Sequence, residues 1–410
     1  MQHAIDKIYA VKNNNPSIPF IVNLEGKNLI ITGNNGSGKT VFLRKIFDFL
    51  NQSIVKTGND HHVEYIKSEL LRMEERLSRV NPGDDHYEYR KNQVAELQEK
   101  LNSRNYFNIT FRDENSLKVN YHQKKSIIRF YEATRQAIIS SDGRITSLET
   151  LTDEYKSHGP QENSGIFFER YLVTTWNYAL LQKGLNKIEE ASKAEKWIER
   201  IIEDLKQLFE DPTLTLEFDI ESLRINIKQE GKEKYRLDQL SSGFSSILSI
   251  YADLLVRVEL GKIERDEISG IVLVDEIDAH LHVTLQKKVF SFFKSSFPNI
   301  QFIISTHSPF VVQSVSDAII FNLTTLEQME DLSLYSHTSI IKGLLGERSS
   351  SSILLEKIEE LSSLMSGENF NDADYIEIMS DLEPFIQDMD ARSQAIILSA
   401  KNKFIEKQQG

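Results

Sequence analysis

The sequence predicts an α/β fold with a parallel sheet at its centre, on three observations. Asn28-Leu29-Ile30-Ile31-Thr32 is a short, β-branched apolar run followed by a Gly-rich loop and an apolar helix-like stretch from Val41 to Leu50. Ile271–Val274 is a second such run, and Gln301–Ser305 is a third. A helix-like segment near Leu281–Phe293 separates the last two. Runs that are apolar on both faces suit strands buried on both sides, and strand–helix–strand at this spacing is the unit of a parallel sheet.

The remaining elements follow in chain order. Residues 1–55 hold the N-terminal core, with a further short strand at Ile18-Pro19-Phe20-Ile21-Val22. Residues 56–105 read as an inserted helical hairpin. Val63, Ile66, Leu70, Met73, Leu77 and Val80 repeat every three to four residues, Asn81-Pro82-Gly83-Asp84-Asp85 breaks the run, and Val94, Leu97 and Leu101 resume it. Such a hairpin is either a structural spur or an arm that touches a partner or DNA. Residues 106–140 are expected to return to the sheet region as strands: Phe107, Ile109 and Phe111, then Leu117, Val119 and Tyr121, then Ile127, Ile128 and Phe130. Lys118, Lys124, Lys125, Arg129 and Arg135 fall in that segment as a solvated strand face or a phosphate-binding stripe. Residues 141–235 form a polar loop, a helical lobe and the hairpin Leu214–Ile220 with Leu223–Ile227. Residues 236–325 complete the core. Residues 326–410 form an acidic helical tail with apolar stripes at Ile353, Leu354, Ile358 and Leu361 and at Ile376, Met379, Leu382 and Ile386.

Composition narrows the function classes. The chain has 410 residues, 40% hydrophobic and 27% charged, without a single cysteine. Disulfides and cysteine-bound zinc are excluded, and a reducing cytoplasm is the expected setting. No apolar run is long enough to cross a membrane as a helix, and no secretion signal is expected at the N-terminus. Between Glu327 and Asp390 lie 15 Asp and Glu against 3 Lys and Arg, nearly the whole of the net charge of -13. The rest of the surface is therefore close to neutral and does not by itself repel phosphate backbones.

Four motifs carry chemistry. Gly33-Asn34-Asn35-Gly36-Ser37-Gly38-Lys39-Thr40 matches G-x-x-x-x-G-K-[ST]. Its glycines let backbone N–H groups close round phosphates, Lys39 neutralises the β- and γ-phosphates, and Thr40 offers a hydroxyl to Mg²⁺. This is a binding site for ATP with Mg²⁺. The run Ile271–Val274 ends in Asp275 and Glu276, at the strand end where parallel sheets bind ligands. Asp275 is placed to hold the metal and Glu276 to polarise an attacking water. Leu240-Ser241-Ser242-Gly243-Phe244 opens a helix; its serines are caps, and a helix N-terminus also favours anions. His307 follows the strand Gln301–Ser305. Alone it reads as structural; in this order of elements it falls beside the γ-phosphate.

Together these motifs resemble the ABC ATPase superfamily. Gly33–Thr40 looks like its Walker A loop and Val274-Asp275-Glu276 like Walker B with its catalytic glutamate. Leu240–Phe244 resembles the signature motif, Asp278-Ala279-His280-Leu281 the D-loop, and Ser305-Thr306-His307-Ser308-Pro309 the switch-histidine strand end. The resemblance implies an ATPase head with an antiparallel β lobe, a helical signature lobe and a homodimer or higher oligomer. Two ATP molecules would lie between two chains, each held by one chain's P-loop and by Ser241, Ser242 and Gly243 of the other, with Asp278 of the D-loop counted among the nucleotide-binding residues. Phe244 stands where transporter members usually have Gln, which argues against a transporter. Gln136 is the candidate for the Q-loop, and no aromatic residue is assigned to adenine.

Asp278-Ala279-His280-Leu281-His282 and Ser305–Phe310 look like the RecF-like and OLD-like branch. An SMC-like protein would need a far longer coiled coil than residues 61–104 supply. No acidic metal cluster on alternating strands follows Phe321, so no Toprim nuclease domain is expected. The resemblance implies an ATPase that regulates or senses for a separate effector, a nuclease or toxin, as in two-component anti-phage systems. The alternative is a RecF-like repair or recombination ATPase whose ATP-bound dimer contacts DNA.

Overall fold

The computed structural model describes residues 4–12, 15, 17–56, 63–81, 84, 86–135, 143–330, 340, 352–366, 371–389 and 391–409. The chain divides into two compact units, Met1–His337 and Thr338–Gly410.

The first unit opens with β1 (Ile5–Val11), β2 (Pro19–Asn23) and β3 (Asn28–Thr32), then α1 (Lys39–Leu50). The inserted hairpin follows as α2 (Val63–Ser78) and α3 (Tyr87–Tyr106). Next come β4 (Phe107–Phe111), α4 (Glu114–His122) and β5 (Ser126–Tyr131). A helical lobe holds α5 (Leu148–Ser157), α6 (Phe168–Gly184) and α7 (Ile188–Phe209). The strands β6 (Thr215–Asp219), β7 (Arg224–Lys228) and β8 (Tyr235–Arg236) then form a small antiparallel sheet. The long helix α8 (Ser242–Gly261) leads to β9 (Ser269–Val274). Two short helices, α9 (Val283–Gln286) and α10 (Val289–Ser296), precede β10 (Ile300–Ser305). The unit closes with α11 (Pro309–Gln313), β11 (Ala318–Asn322) and β12 (Glu327–Glu330).

The main sheet has six strands in the order β12-β11-β3-β10-β9-β5. All neighbours are parallel except β12, which pairs antiparallel with β11. A second, antiparallel sheet has the order β2-β1-β4. Helix α1 lies in the core between them. Its Phe42, Leu43, Ile46 and Leu50 join Leu29, Ile31, Ile271, Leu273 and Ile303 from the main sheet and Ile8, Val22 and Phe107 from the other. Burying each such side chain stabilises the fold by about 1.5–3 kcal/mol. The opposite face of β10 presents Phe302 to Phe290 and Phe293 of α10. Strands covered on both faces explain the unbroken apolar runs.

Three expectations are corrected. Leu117, Val119 and Tyr121 lie on helix α4, not on a strand. Asp113 caps that helix by accepting from the Ser116 N–H at 2.8 Å, and of the three only Leu117 is buried. The stretch 141–164 includes a helix, α5, capped by Ser147, which accepts from the Thr150 N–H at 3.0 Å. The single helix expected at Leu281–Phe293 is two, because Lys288 leaves helical geometry between them.

The five basic residues do not share one face, although Lys124 and Lys125 are exposed. Lys118 sits on α4, while Arg129 and Arg135 turn inward. Arg129 Nε donates to Asp253 Oδ2 at 3.0 Å, inside the protein. Asp253, on α8, is fully buried and accepts in addition from Tyr131 Oη at 2.5 Å, Arg257 Nε at 3.1 Å and the Ser164 N–H at 2.6 Å. This cluster locks α8 to β5. Burial pushes the Asp253 carboxyl up, but the charges of Arg257 and Arg129 and the Tyr131 hydroxyl bring it below the usual carboxylate range.

The second unit has α12 (Ser352–Ser366), α13 (Asp372–Leu382) and α14 (Ala391–Gln409) around its own core of Ile358, Leu361, Tyr375, Met379, Leu382, Ile397 and Ala400. The apolar stripe of α13 runs through Tyr375 rather than Ile376, which is exposed. The side chain of Ile353 lies outside the described residues.

Asp253→Asn leaves two buried guanidinium groups short of a counter-charge. The expected loss is roughly 3–5 kcal/mol in denaturant unfolding. Because the folded carboxyl titrates lower than the unfolded one, its contribution is present above the unfolded pKa and is lost as pH falls through the folded pKa. The native protein should therefore lose this part of its stability on acidification, whereas the variant, lacking the titrating group, should lose less.

Candidate functional site

The site forms at the carboxyl ends of β3, β9 and β10. Strand β3 delivers the Gly-rich loop, and α1 begins at Lys39 immediately after it. The loop turns through Gly33, Gly36 and Gly38 at φ 137°, 76° and 95°, a region that L side chains rarely adopt. A Cβ on Gly33 would also stand 2.9 Å from Ser37 Oγ and from Thr324 Oγ1. Asn34, Asn35 and Gly36 form the exposed rim. Thr324 braces the loop by accepting from the Asn34 N–H at 2.9 Å, and Lys12 Nζ donates to the Thr324 carbonyl at 2.8 Å.

Lys39 is buried and donates from Nζ to the carbonyls of Gly33 at 2.8 Å and Asn34 at 3.2 Å. Burial lowers its pKa, opposed by the carboxylates of Glu276, Asp275 and Asp278. One ammonium group thus faces three acids supplied from more than 230 residues along the chain. Thr40 Oγ1 donates to Asp275 Oδ2 at 2.8 Å. The other oxygen, Oδ1, accepts from Ser305 Oγ at 2.5 Å, and that same hydroxyl accepts from the Glu276 N–H at 2.7 Å. Asp275 is buried and Glu276 is half-exposed. Glu276 takes φ 45°, an uncommon conformation for a residue with a side chain. The bonds made by Ser305 hold it there.

The residues fit the expected ligands. The hydroxyls of Ser37 and Thr32 are buried at the loop with no hydrogen-bond partner, so a phosphate oxygen has donors waiting there. Thr40 and Asp275 supply one hydroxyl and one carboxylate. No cluster of three or more His, Cys, Asp or Glu able to hold a metal exists among the described residues. That donor set suits Mg²⁺, which keeps waters and shares phosphate oxygens rather than sitting in an all-protein cage.

Other motif residues take their own places. Asp278 Oδ1 accepts from Thr306 Oγ1 at 2.6 Å, which joins the turn after β9 to the end of β10. His307 is half-buried at the end of β10, on the residue after Thr306. Ser241 is the N-cap residue of α8 but makes no side-chain cap hydrogen bond; it and Ser242 are exposed. Gly243 is buried against the turn after β9, where a Cβ would come within 2.5 Å of the His280 carbonyl oxygen. Phe244 stacks on Phe209 of α7 at 4.3 Å between ring centroids, which ties the start of α8 to the helical lobe. Gln136 lies outside the described residues.

The sequence did not point to Thr324 or to the part of Ser305 in holding Asp275, and it grouped Arg135 with the basic residues of 118–135 rather than with the acidic pair. Ser305 was legible as the polar end of an apolar strand. The partners of Arg135 and Thr324 were not legible, because they are distant in sequence.

Lys39→Ala removes the one cation inside the loop. ATP affinity measured by calorimetry should fall by about 10- to 100-fold, the worth of one or two charge-assisted hydrogen bonds. An unchanged affinity would place the nucleotide elsewhere.

A family model described as "AAA domain, putative AbiEii toxin, Type IV TA system" matches residues 60–313, a span that takes in Ser241–Gly243, Asp275, Glu276 and His307. The Septu protein PtuA of Bacillus mycoides (strain KBAB4) is 36% identical over 95 residues, 23% of this chain and 13% of that protein. The Retron Ec83 probable ATPase of Escherichia coli is 40% identical over 88 residues, 21% of this chain and 16% of that protein. These matches span only a small part of the curated relatives' length. The Smc head domain with an extended coiled coil, derived from Pyrococcus furiosus and bound to the C-terminal domain of ScpA, aligns with 78% of this chain and 93% of its own. Identity there is 13% and the TM-score 0.36. No helix among the described residues is long and apolar enough to cross a membrane. With more than half of its length matched by the family model, the chain belongs to this AAA-domain family.

Proposed function

We propose that the chain binds and hydrolyses ATP with Mg²⁺ as a nucleotide-sandwiched dimer, and that it regulates or senses for a separate effector in an anti-phage defence system. The observation that carries the hydrolytic part is the meeting of Lys39, Thr40, Asp275 and Glu276 at one strand edge, closed by the Thr40–Asp275 hydrogen bond.

Each residue has a distinct task in this reading. The Gly33–Gly38 loop and Lys39 hold the phosphates. Thr40 and Asp275 hold Mg²⁺, which when bound neutralises charge on the β- and γ-phosphates. Glu276, fixed through its backbone N–H and half-exposed, orients a water toward the γ-phosphorus and draws off a proton as the new P–O bond forms and the bond to ADP breaks. His307 lies on the same edge and is assigned to the γ-phosphate.

The dimer rests on α8. Ser241 and Ser242 at its start are exposed, the N-cap side chain is not spent on the helix, and the helix dipole favours an anion there. Ser241, Ser242 and Gly243 are assigned to the γ-phosphate held by a second chain. Loss of that phosphate on hydrolysis would release the bridge.

The defence role is supported by the resemblance of the Asp278–His282 and Ser305–Phe310 strings and by kinship with a Septu protein and a retron ATPase. The effector is a separate nuclease or toxin. The alternative is a RecF-like repair or recombination ATPase whose ATP-bound dimer contacts DNA; of the basic residues at 118–135, Arg129 and Arg135 are engaged within the chain and Lys124 and Lys125 are exposed.

Glu276→Gln should bind ATP, hydrolyse it at least about a hundredfold more slowly, and accumulate as dimers with ATP and Mg²⁺ in light scattering. Ser242→Arg should prevent that accumulation. Chains carrying Lys39→Ala mixed with chains carrying Ser242→Arg share one composite site with both halves intact, so turnover should partly return. A mixture no more active than its components would count against sites shared between chains.

A further inference from the structure

The side chain of Arg135 links the start of α8 to the backbone that carries Glu276. It lies four residues beyond the end of β5. Nε donates to Ser246 Oγ at 3.0 Å, in the first turns of α8. Nη1 donates to the Asp275 carbonyl at 2.5 Å and to the Glu132 carbonyl at 2.8 Å. Nη2 donates to the Glu276 carbonyl at 3.0 Å. Glu276, already in a strained conformation, is thereby held on both sides: Ser305 takes its N–H and Arg135 takes its C=O.

These contacts do not mark an ordinary surface ion pair. All the acceptors are carbonyls or a hydroxyl, and the group is half-buried. Burial pulls the guanidinium down to about 10, against Asp275, Asp278 and Glu276, so it stays charged at neutral pH. Only a planar fork of several donors reaches three carbonyls and a hydroxyl together, which an ammonium group cannot do.

The surroundings turn the link into a lever. Further along α8, Asp253 is locked to Arg129 and Tyr131 of β5. The start of the helix is pressed against the turn after β9, with Gly243 on the His280 carbonyl. Displacement at the exposed end therefore bears on Ser246 and on this turn before it bears on the anchored middle. Ser246 passes it through Arg135 to the carbonyls of residues 275 and 276.

We propose that Arg135 is a positioning residue that couples the exposed N-terminus of α8 to the orientation of Glu276 in the same chain. The proposal rests on the hydrolytic reading above and adds direction to it. A phosphate met by Ser241–Gly243 at one composite site then sets the catalytic carboxylate of the other. The two sites of a dimer fire in concert because each signature helix reports to its own chain's glutamate.

The test compares the native full-length chain with Arg135→Gln, Arg135→Lys, Ser246→Ala and the double variant Arg135→Gln/Ser246→Ala. Steady-state ATP hydrolysis gives kcat, calorimetry gives ATP affinity, and thermal unfolding checks the fold. Arg135→Gln should lower kcat by about tenfold or more while ATP affinity stays within about threefold, the signature of an interaction that acts after binding. Arg135→Lys should not restore the rate. Ser246→Ala should lower kcat by about threefold, and the double variant should be no slower than Arg135→Gln alone, because both changes cut one link. Multiplying losses, recovery with lysine, or a loss confined to ATP affinity would overturn the proposal. If Arg135→Gln does not fold, Ser246→Ala decides: a native kcat there sinks the coupling. If the native chain hydrolyses no ATP, the hydrolytic reading fails by itself. Coupling is then read by hydrogen exchange with a non-hydrolysable ATP analogue. Slowed exchange at the amides of residues 276–278 in the native chain, absent in Ser246→Ala, supports it; the same slowing in both overturns it.

Discussion

Parallel pairing of β3 with β10, and of β10 with β9, places three strand ends on one edge of the sheet. Ser305 ends β10 level with Ile31 of β3, and Ile304 is level with Val274 of β9. That register sets the Gly-rich loop, the Asp275–Glu276 pair and the Ser305–His307 segment side by side. A hydroxyl at the end of the middle strand can then reach across to the carboxylate at the end of its neighbour. Ser305 does so, and in the same step holds the amide of Glu276. Slipping either pairing by one residue would turn these side chains to the other face of the sheet and dismantle the cluster.

The site concentrates like charge, and the fold offsets the cost. Asp275, Glu276 and Asp278 crowd one corner. Lys39 and Arg135 are the cations set against them, both drawn into the protein far enough for burial to lower their pKa. Their hydrogen bonds to backbone carbonyls replace the water they give up. The Lys39 ammonium, bound to the carbonyls of Gly33 and Asn34, also steadies the loop.

A second buried network explains why α8 and the sheet act together. Asp253 gathers two arginines, a tyrosine and a backbone amide in a region with no access to water. Such a cluster contributes less to net stability than to geometry, since its attraction is set against the cost of desolvating each ion. Its partners come from β5, from α8 and from the segment before α6. The helical lobe is tied to the same helix by the stacked pair Phe209 and Phe244. Phe244 thereby fastens the start of α8 to the helical lobe of the same chain.

Local signals carried much of this protein on their own. The apolar run Asn28–Thr32 matches β3 residue for residue, and the Gly-rich loop, the acidic pair and the Ser305–Pro309 string stand out by residue type at the ends of runs that fold as β3, β9 and β10. The hairpin at α2 and α3 was legible because its periodicity is interrupted by turn residues. Alternation misled at residues 117–121, where the Asp113 cap outweighed it. The basic residues of 118–135 looked like one surface stripe because sequence shows charge but not partners. Tertiary structure decided that Arg129 belongs to Asp253, 124 residues away, and that Arg135 belongs to Ser246 and the end of β9. Propensity, capping and motif spacing act within a few residues and can be read in order along a chain. A buried charge takes its role from whichever distant group the fold brings within hydrogen-bonding reach, and that is settled only when the chain closes on itself.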